Sequence, residues 1–419
     1  MGFKESELIF DWNRLTPRST FDGRVPETFD ESLRDGIQSP SVIDPPIEKK
    51  KHLLTLMAKM NITCADLGLP GAGPRAVADT KELVAFIRDN KLKLQACAAA
   101  RTVIRDLEPV ATIQQETGVP VMAYAFLGTS PIRQYAEAWD LDRLLKTVEE
   151  AVTWAVKHQV EVAFVTEDTV RSRPETLDRL FRAAINHGAK RLVLCDTVGH
   201  ATPDGVAALV TWTRALVRCM GVDVKLDWHG HNDRGFAVTN TLVAFETGVD
   251  RIHGTALGIG ERVGNASMDQ LLLNLKLLGS WPYELNALVE YCKLAGDIFG
   301  VGIPYNYPLA GRDAFRTATG VHAAAVIKAE QKGENWLADR IYSGVPASEF
   351  GKHQEIEIGP MSGLSNVRYW LKRHGVREEE RLCQALLDRA KEHDRVLTEE
   401  ELWAAIRAHD GKPAAAAAH

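Results

Sequence analysis

No run of apolar residues in this sequence approaches the roughly 20 that a membrane-spanning helix needs. Residues 1–25 are polar and lack the apolar core of a signal peptide. Cysteine is scarce: six in 419 residues (Cys64, Cys97, Cys195, Cys219, Cys292, Cys383), with no CxxC and no paired spacing. Most lie in apolar strand or helix patterns, the usage of reduced core thiols in a cytosol rather than of a disulfide framework or a zinc ribbon. A surplus of positive charge is also missing. With 50 Lys and Arg against 56 Asp and Glu, the net charge of −6 gives no ground for a nucleic-acid or anionic-membrane partner. These absences together lead us to expect a soluble cytoplasmic protein.

What is present is an ordinary globular composition, 45% hydrophobic and 25% charged, with room for a barrel of about 250 residues and a smaller appendage. After a polar leader over residues 1–26 (Trp12, Arg14, Thr16, Pro17, Arg18, Pro26), short apolar strands alternate with amphipathic helices. The pattern predicts strands near 27–33, 62–68, 93–100, 119–128, 161–167, 191–198, 223–231 and 250–258. Pro174 to His187 illustrates the intervening helices, with Leu177, Leu180, Phe181 and Ala184 on one face. A repeat of about 25–40 residues is the size of a βα unit. Open and closed parallel sheets share this alternation, but the polar residues favour closure. Arg34/Asp35, Thr129/Ser130, Glu167/Asp168, Asp196/Thr197, His229/His231 and Glu261/Asn265 all fall at strand C-terminal ends, which only a barrel gathers at one mouth. The expected fold is therefore α/β: a TIM (β/α)8 barrel over residues 27–283. A linker and subdomain follow over 284–350, then a C-terminal helical subdomain over 351–410. The alanine-rich tail, 411–419, is expected to be disordered.

Chemistry concentrates in Asp227-Trp228-His229-Gly230-His231-Asn232-Asp233. On a strand, His229 and His231 point the same way, and two imidazoles a residue apart reach one divalent cation. Leu257-Gly258-Ile259-Gly260-Glu261-Arg262-Val263-Gly264-Asn265 ends the next strand; its glycines permit close backbone approach, and Asn265 offers an oxygen. By themselves two such histidines equally end a strand beside a polar loop, and the metal reading needs an acidic group from elsewhere. Asp30-Glu31-Ser32-Leu33-Arg34-Asp35-Gly36-Ile37-Gln38 sets an arginine and a carboxylate side by side where the first strand ends.

DESLRDGIQ, HGHNDRG and GIGERVGN, in this order and spacing, resemble the metal-dependent TIM-barrel Claisen synthases and lyases. That family includes 2-isopropylmalate, homocitrate and citramalate synthases and 3-hydroxy-3-methylglutaryl-CoA lyase. The similarity extends from about Thr28 to about Arg368. It implies a divalent metal (Mg²⁺, Mn²⁺, Zn²⁺ or Co²⁺) on Asp35, His229 and His231, with Asn265 as a further oxygen ligand. It also implies Arg34 at the substrate keto oxygen, with Gln38 matching the motif beside it. Glu167, in Phe164-Val165-Thr166-Glu167-Asp168, matches the acid–base glutamate of the family; the other reading is a rim salt bridge to Arg34 or Arg171. Thr197 would donate to the substrate carboxylate, and Arg101 and Tyr124 are further substrate-contact candidates. Ala318-Thr319-Gly320-Val321-His322 resembles the family's (S/A)GIH segment, and Tyr342 its later tyrosine. In the synthases these reach across a dimer interface; a core position in an apolar helix is the other reading of His322. Acyl-CoA and a 2-oxo acid are the implied partners, within a homodimer whose C-terminal segments are exchanged over the partner barrel.

Departures narrow the reading. Gly359-Pro360-Met361-Ser362-Gly363 stands where many synthases have G-K-H-S-G, and Tyr124 stands at a position that is often histidine. Ala163 replaces the arginine that homocitrate synthases use for a distal carboxylate, and Val165 replaces the serine of isopropylmalate synthases. These changes argue against 2-oxoglutarate as acceptor and, less strongly, against 2-oxoisovalerate. The glycine-rich loop has no cysteine, unlike the lyases, which favours a synthase over carbon–carbon cleavage. A non-catalytic paralogue that binds metal and a 2-oxo acid is the third reading, opposed by the joint presence of Arg34, Asp35, Glu167, His229 and His231.

Overall fold

The computed structural model describes residues 3–14, 21 and 23–409. Eight parallel strands close into a barrel in sequence order: β1 (Glu27–Asp30), β2 (Cys64–Asp66), β3 (Gln95–Arg101), β4 (Val121–Gly128), β5 (Val162–Glu167), β6 (Arg191–Asp196), β7 (Lys225–Gly230) and β8 (Arg251–Gly254). The strands are buried on both faces, hence runs such as Val121-Met122-Ala123-Tyr124-Ala125-Phe126, apolar without alternation. Closure comes from β1 against β8, with Glu27 opposite Arg251 and Phe29 opposite His253. Helices cover the outside. Pro174–Asn186 begins with proline at its first turn, where no amide partner is needed, and buries Leu177, Leu180, Phe181 and Ala184 against the sheet. Pro203–Met220 is capped by Thr202, whose hydroxyl accepts from the Gly205 amide.

All eight expected strands are present, but several stop earlier than their apolar pattern. The segment after β1 leaves the ladder at Asp30, whose carboxylate accepts the Ser32 amide at 2.9 Å, while the Arg34 and Gly36 amides turn back onto the Glu31 carbonyl. Apolar Leu33 belongs to a packed turn and not to a strand. Among the described residues, no helix is long and apolar enough to cross a membrane. All six cysteines are free thiols, and all but Cys219 are buried.

Inward side chains form layers. Phe29, Cys97, Tyr124, Ala163 and Val193 make an apolar middle, with Phe29 stacked on Tyr124 at 4.4 Å. Toward the strand N-termini lies a buried charged layer: Arg191 Nε meets Asp227 at 2.7 Å, Arg251 meets Glu27 and the Tyr124 hydroxyl, and that hydroxyl donates to Asp227 at 2.9 Å. Burial alone would raise the Asp227 pKa; Arg191, His253 and Arg251 outweigh it and hold the carboxyl down at about 2.

The expected boundary at 283/284 shifts. Helix Leu288–Phe299 packs against Ile47–Lys59, and its Tyr291 hydroxyl bonds Asp30, so this compact unit runs to Gly302. The second unit comprises 303–409 with the leading residues 3–14, whose Glu5 pairs with Arg340 at 3.2 Å. It carries two small apolar cores. Ala323, Val326, Ala329, Ala338 and Ile356 form one; Ile358, Val367, Leu371, Leu382, Leu386, Leu402 and Ile406 form the other. The expected division near 350/351 thus corresponds to two cores within one unit. Thr16, Pro17 and Arg18 of the leader and the tail 411–419 lie outside the described residues.

Asp227→Ala removes the one carboxylate shared by Arg191, Tyr124 and His253 and leaves the buried Arg191 with Glu27 alone, at 3.1 Å. Barrel unfolding in urea should lose about 3–5 kcal/mol; a loss under about 1 kcal/mol would show that the charged layer relaxes onto water or Glu27.

Candidate active site

The turn after β1 is built around Arg34. Its Nε donates to Asp66 at 2.7 Å, Nη1 to Asp35 at 2.8 Å and Nη2 to Glu31 at 3.2 Å. Burial disfavours the charged guanidinium, but the three carboxylates overcome this and raise its pKa above the ordinary arginine value. The pairing leaves Arg34 rigid, charged and partly open to the barrel mouth.

Alternation along β7 turns Asp227, His229 and His231 inward, as expected. His229 Nδ1 faces Glu31 Oε2 at 2.7 Å, the contact of an Nδ1–H donor with a carboxylate acceptor, and this turns Nε2 toward Asp35. That Nε2 lies 3.8 Å from Asp35 Oδ2, and His231 Nε2 lies 3.7 Å from the same oxygen. These separations are too long for hydrogen bonds. Two ligands each about 2.1 Å from a common ion lie roughly 3–3.8 Å apart, depending on the angle at the ion. An isolated bridge between His231 and Asn265 brings the amide alongside. Asn265 Nδ2 donates to Asp35 Oδ2, while its Oδ1 and His231 Nδ1 are buried without a partner. Turning the amide over would set its oxygen against the Asp35 carboxylate, an arrangement that a cation between them stabilises. A Cβ on Gly260 would collide with Asn265 Oδ1, which accounts for glycine in this loop.

Electrostatics suit the same use. Burial, then the neighbouring His229, lowers the His231 pKa to about 4, so the imidazole is neutral and able to coordinate at physiological pH. Burial alone would raise Asp35, but Arg34 and His229 outweigh it and keep the carboxylate ionised. The donor set of one carboxylate, two imidazoles and an amide oxygen fits a divalent cation.

Arg34, Asp35, His229 and His231 open onto a cavity of about 200 Å³ that also takes in Gln38, Glu167, Thr197 and Glu261, with an apolar wall including Leu69, Ala99, Phe126, Val165 and Val193. A larger cleft of about 1010 Å³ in the second unit holds none of the predicted residues, so size does not locate the chemistry. Neither arginine considered for Glu167 pairs with it: Arg34 is held as above, and Arg171 grips Asp168. Burial, with Asp168, Glu261 and Glu137 nearby, raises the Glu167 pKa despite Arg133. Thr197 Oγ1 accepts the Asp168 amide at 2.8 Å, which leaves its own proton free to donate.

Two candidates for substrate contact are engaged by the protein's own side chains. The Arg101 guanidinium turns to Asp106, at 2.7 and 2.8 Å, and does not line the cavity. Tyr124 contributes its ring, but its hydroxyl is committed to Asp227 and Arg251. Ala163 lies in the apolar layer with Tyr124, and Val165 alone of the two β5 departures lines the cavity. His322 and Tyr342 belong to the second unit. His322 is exposed on helix Gly320–Gln331, not in a core, and stacks on Tyr342 at 4.1 Å.

Sequence reasoning overlooked the supporting groups Glu31, Asp66, Asp227 and His253. Glu31 sits within the quoted motif, Asp227 shares the parity of His229, and His253 occupies an inward position of β8. Burial raises Asp66 to about 6 against the pull of Arg34. Burial would lower His253, but Glu31 and Asp227 outweigh it and hold it near 8.

Asp35, His229 and His231 thus converge beside Arg34 at the C-terminal mouth of a parallel barrel. The family description HMGL-like matches residues 25–295, and the chain belongs to this family. Its relatives include synthases. It is 31% identical over 367 residues to a probable 2-isopropylmalate synthase of Methanopyrus kandleri, covering 87% of this chain and 69% of that one. It is also 31% identical over 394 residues to a putative (R)-citramalate synthase of the same organism, covering 92% and 73%. The crystal structure of hydroxymethylglutaryl-CoA lyase from Pseudomonas aeruginosa superposes with a TM-score of 0.56 at 19% identity, over 67% of this chain and 94% of that one, a likeness of fold.

Metal binding can be tested apart from turnover. His231→Ala should leave the barrel folded by circular dichroism and abolish stoichiometric retention of divalent metal by elemental analysis. Undiminished retention would place the ion elsewhere.

Proposed function

We propose that this chain is an acyl-CoA:2-oxo acid acyltransferase of the 2-isopropylmalate synthase kind. It joins the acetyl group of acetyl-CoA, or of a close relative, to the keto carbon of a 2-oxo acid and hydrolyses the thioester to a 2-hydroxy-2-alkyl-diacid. The observation that carries this reading is the meeting of Arg34, the Asp35/His229/His231 donors and Glu167 at one cavity. The synthase names of the relatives and the absence of cysteine from the loop 258–267 weigh for condensation over a lyase reaction. Six free thiols are consistent with work in the cytoplasm.

A divalent cation (Mg²⁺, Mn²⁺, Zn²⁺ or Co²⁺) on Asp35, His229, His231 and Asn265 would polarise the keto group. Arg34 presents a fixed charge to the oxygen that becomes an alkoxide. The free proton of Thr197 donates to the carboxylate of the 2-oxo acid, and Gln38 supports that end of the cavity. An α-proton leaves the acyl methyl for a base, either Glu167 or His322 of the partner subunit. The resulting carbanion attacks the keto carbon, the alkoxide takes up a proton, and water cleaves the thioester to release CoA thiol. Burial raises the Glu167 pKa above that of an ordinary carboxyl, the direction that suits a proton-transfer group.

The acceptor carries an apolar side chain. Val165, Phe126 and Leu69 offer no partner to a distal carboxylate, and leaving such a charge unpaired costs about a thousandfold or more in kcat/KM. The deciding experiment measures CoA thiol release with acetyl-CoA across pyruvate, 2-oxobutyrate, 2-oxoisovalerate, longer branched 2-oxo acids and 2-oxoglutarate. Apolar acceptors should lead, and chelation should abolish release until metal is restored. Release unaffected by verified metal removal would refute the mechanism; 2-oxoglutarate as best substrate would refute the pocket reading alone.

The protein acts as a homodimer in which His322 and Tyr342 of one protomer complete the partner's barrel mouth. Their exposure and mutual stacking on a separate compact unit support this reading. An inactive Asp35→Asn chain and an inactive His322→Ala chain should regain part of the parental activity when refolded together. A mixed dimer of confirmed composition that stays inactive would rule out exchange.

A further inference from the structure

Behind the metal ligands runs a chain of buried polar groups that the proposed reaction does not use. Glu31 is its hub. Oε2 receives Nδ1 of His229 at 2.7 Å, while Oε1 lies 3.3 Å from His253 Nδ1 and 3.2 Å from Arg34 Nη2. The contact with His253 is an ion pair whose alignment falls short of a hydrogen bond. On its other side, His253 Nε2 meets Asp227 Oδ2 at 3.2 Å, and Asp227 is anchored by Arg191 and Tyr124. Glu31, His253 and Asp227 are 2%, 1% and 0% exposed, so none of these contacts is shared with solvent.

We infer that Glu31, His253 and Asp227 form a strut that fixes the tautomer and aim of His229, making them positioning residues for the metal. The inference rests on the metal reading given above. An imidazole can carry its single proton on either nitrogen, and only the Nδ1–H form offers an Nε2 lone pair to an ion. Glu31 selects that form by accepting from Nδ1, and outer carboxylates of this kind orient and strengthen histidine ligands. Glu31 is itself a long, flexible side chain. It is held from two sides, by Arg34 at the mouth and by His253 beneath, and His253 is seated on the rigid charged layer through Asp227. The barrel thus transmits its closure, through β8 and β7, to one ligand nitrogen.

Glu31, His229 and His253 also qualify on proximity as a second metal-binding group. The 2.7 Å separation of Glu31 Oε2 and His229 Nδ1 argues otherwise, because two ligands near 2.1 Å from one ion at a right angle stand about 3 Å apart. A hydrogen bond accounts for that distance without strain.

The test is calorimetric titration of metal-free protein with Co²⁺, read together with the visible ligand-field spectrum. The parent should bind one Co²⁺ per chain. Glu31→Ala should weaken binding about 10–100-fold, and His253→Gln should weaken it less, in the same direction. Glu31→Gln, which keeps an acceptor for the Nδ1 proton, should recover most of the affinity. Circular dichroism and the thermal midpoint report whether each variant is folded. A folded Glu31→Ala that binds within about twofold of the parent would overturn the strut, as would two Co²⁺ per parental chain, which would make the group a second metal site. A parent that binds no Co²⁺ would instead refute the metal reading on which the strut depends. Should the variants fail to fold, nitrogen NMR of the metal-free parent still decides: His229 should carry its proton on Nδ1, and an Nε2–H tautomer would overturn the inference.

Discussion

The pairing of β1 with β8, Glu27 through Asp30 alongside Arg251 through Gly254, is the constraint on which the rest of this molecule depends. Those strands are more than 220 residues apart, and joining them turns a row of βα units into a ring. Loops that an open sheet would spread along one edge then surround a single opening. Asp35 after β1, His229 and His231 at the end of β7 and Asn265 after β8 become neighbours for that reason. The same closure sets Phe29 against Tyr124 and leaves no free edge.

Closure also creates a difficulty that the interior answers with charge. Eight short strands enclose Asp35, Glu31, Asp66 and Asp227, all buried, and a buried carboxylate without a partner reverts to its neutral form. Each has its cations: Arg34 for the first three, Arg191 with His253 for the last. Arg34 thus serves two ends, holding the turn after β1 together while presenting its charge to the cavity. The balance is uneven. Glu167 and Asp66 are raised by burial, whereas Asp35 and Asp227 are kept ionised. Carboxyls raised by burial and carboxylates held ionised therefore coexist inside one barrel.

The second unit follows different physics. Helices such as Leu364–Arg373 and Glu380–Lys391 are amphipathic and pack on one another around Val367, Leu371, Leu382 and Leu386. Its surface carries solvated ion pairs, such as Arg395 with Glu401, which add little stability. His322, on helix Gly320–Gln331, and Tyr342, beyond helix Asn335–Arg340, are both exposed and stack on one another.

By itself the sequence determined the eight strands, their alternation with helices and the inward direction of His229 and His231, because period-2 geometry and apolar runs are local properties. It also located Asp35, Arg34, Glu167 and Asn265, through motifs that resemble a known family. Tertiary structure alone decided which of the remaining candidates face the cavity. Arg101 has the right parity but is captured by Asp106, and the Tyr124 hydroxyl is taken by Asp227 and Arg251. The same holds for Glu31, Asp66 and His253, whose roles arise only from partners on other strands. It holds too for helix Leu288–Phe299, whose apolar face fits either unit until Ile47–Lys59 receives it. The physical reason is common to all of these. A side chain's direction along its own strand is set by backbone geometry that neighbouring residues reveal. Its hydrogen-bond partner is set by whichever group closure brings within about 3 Å, from anywhere in the chain.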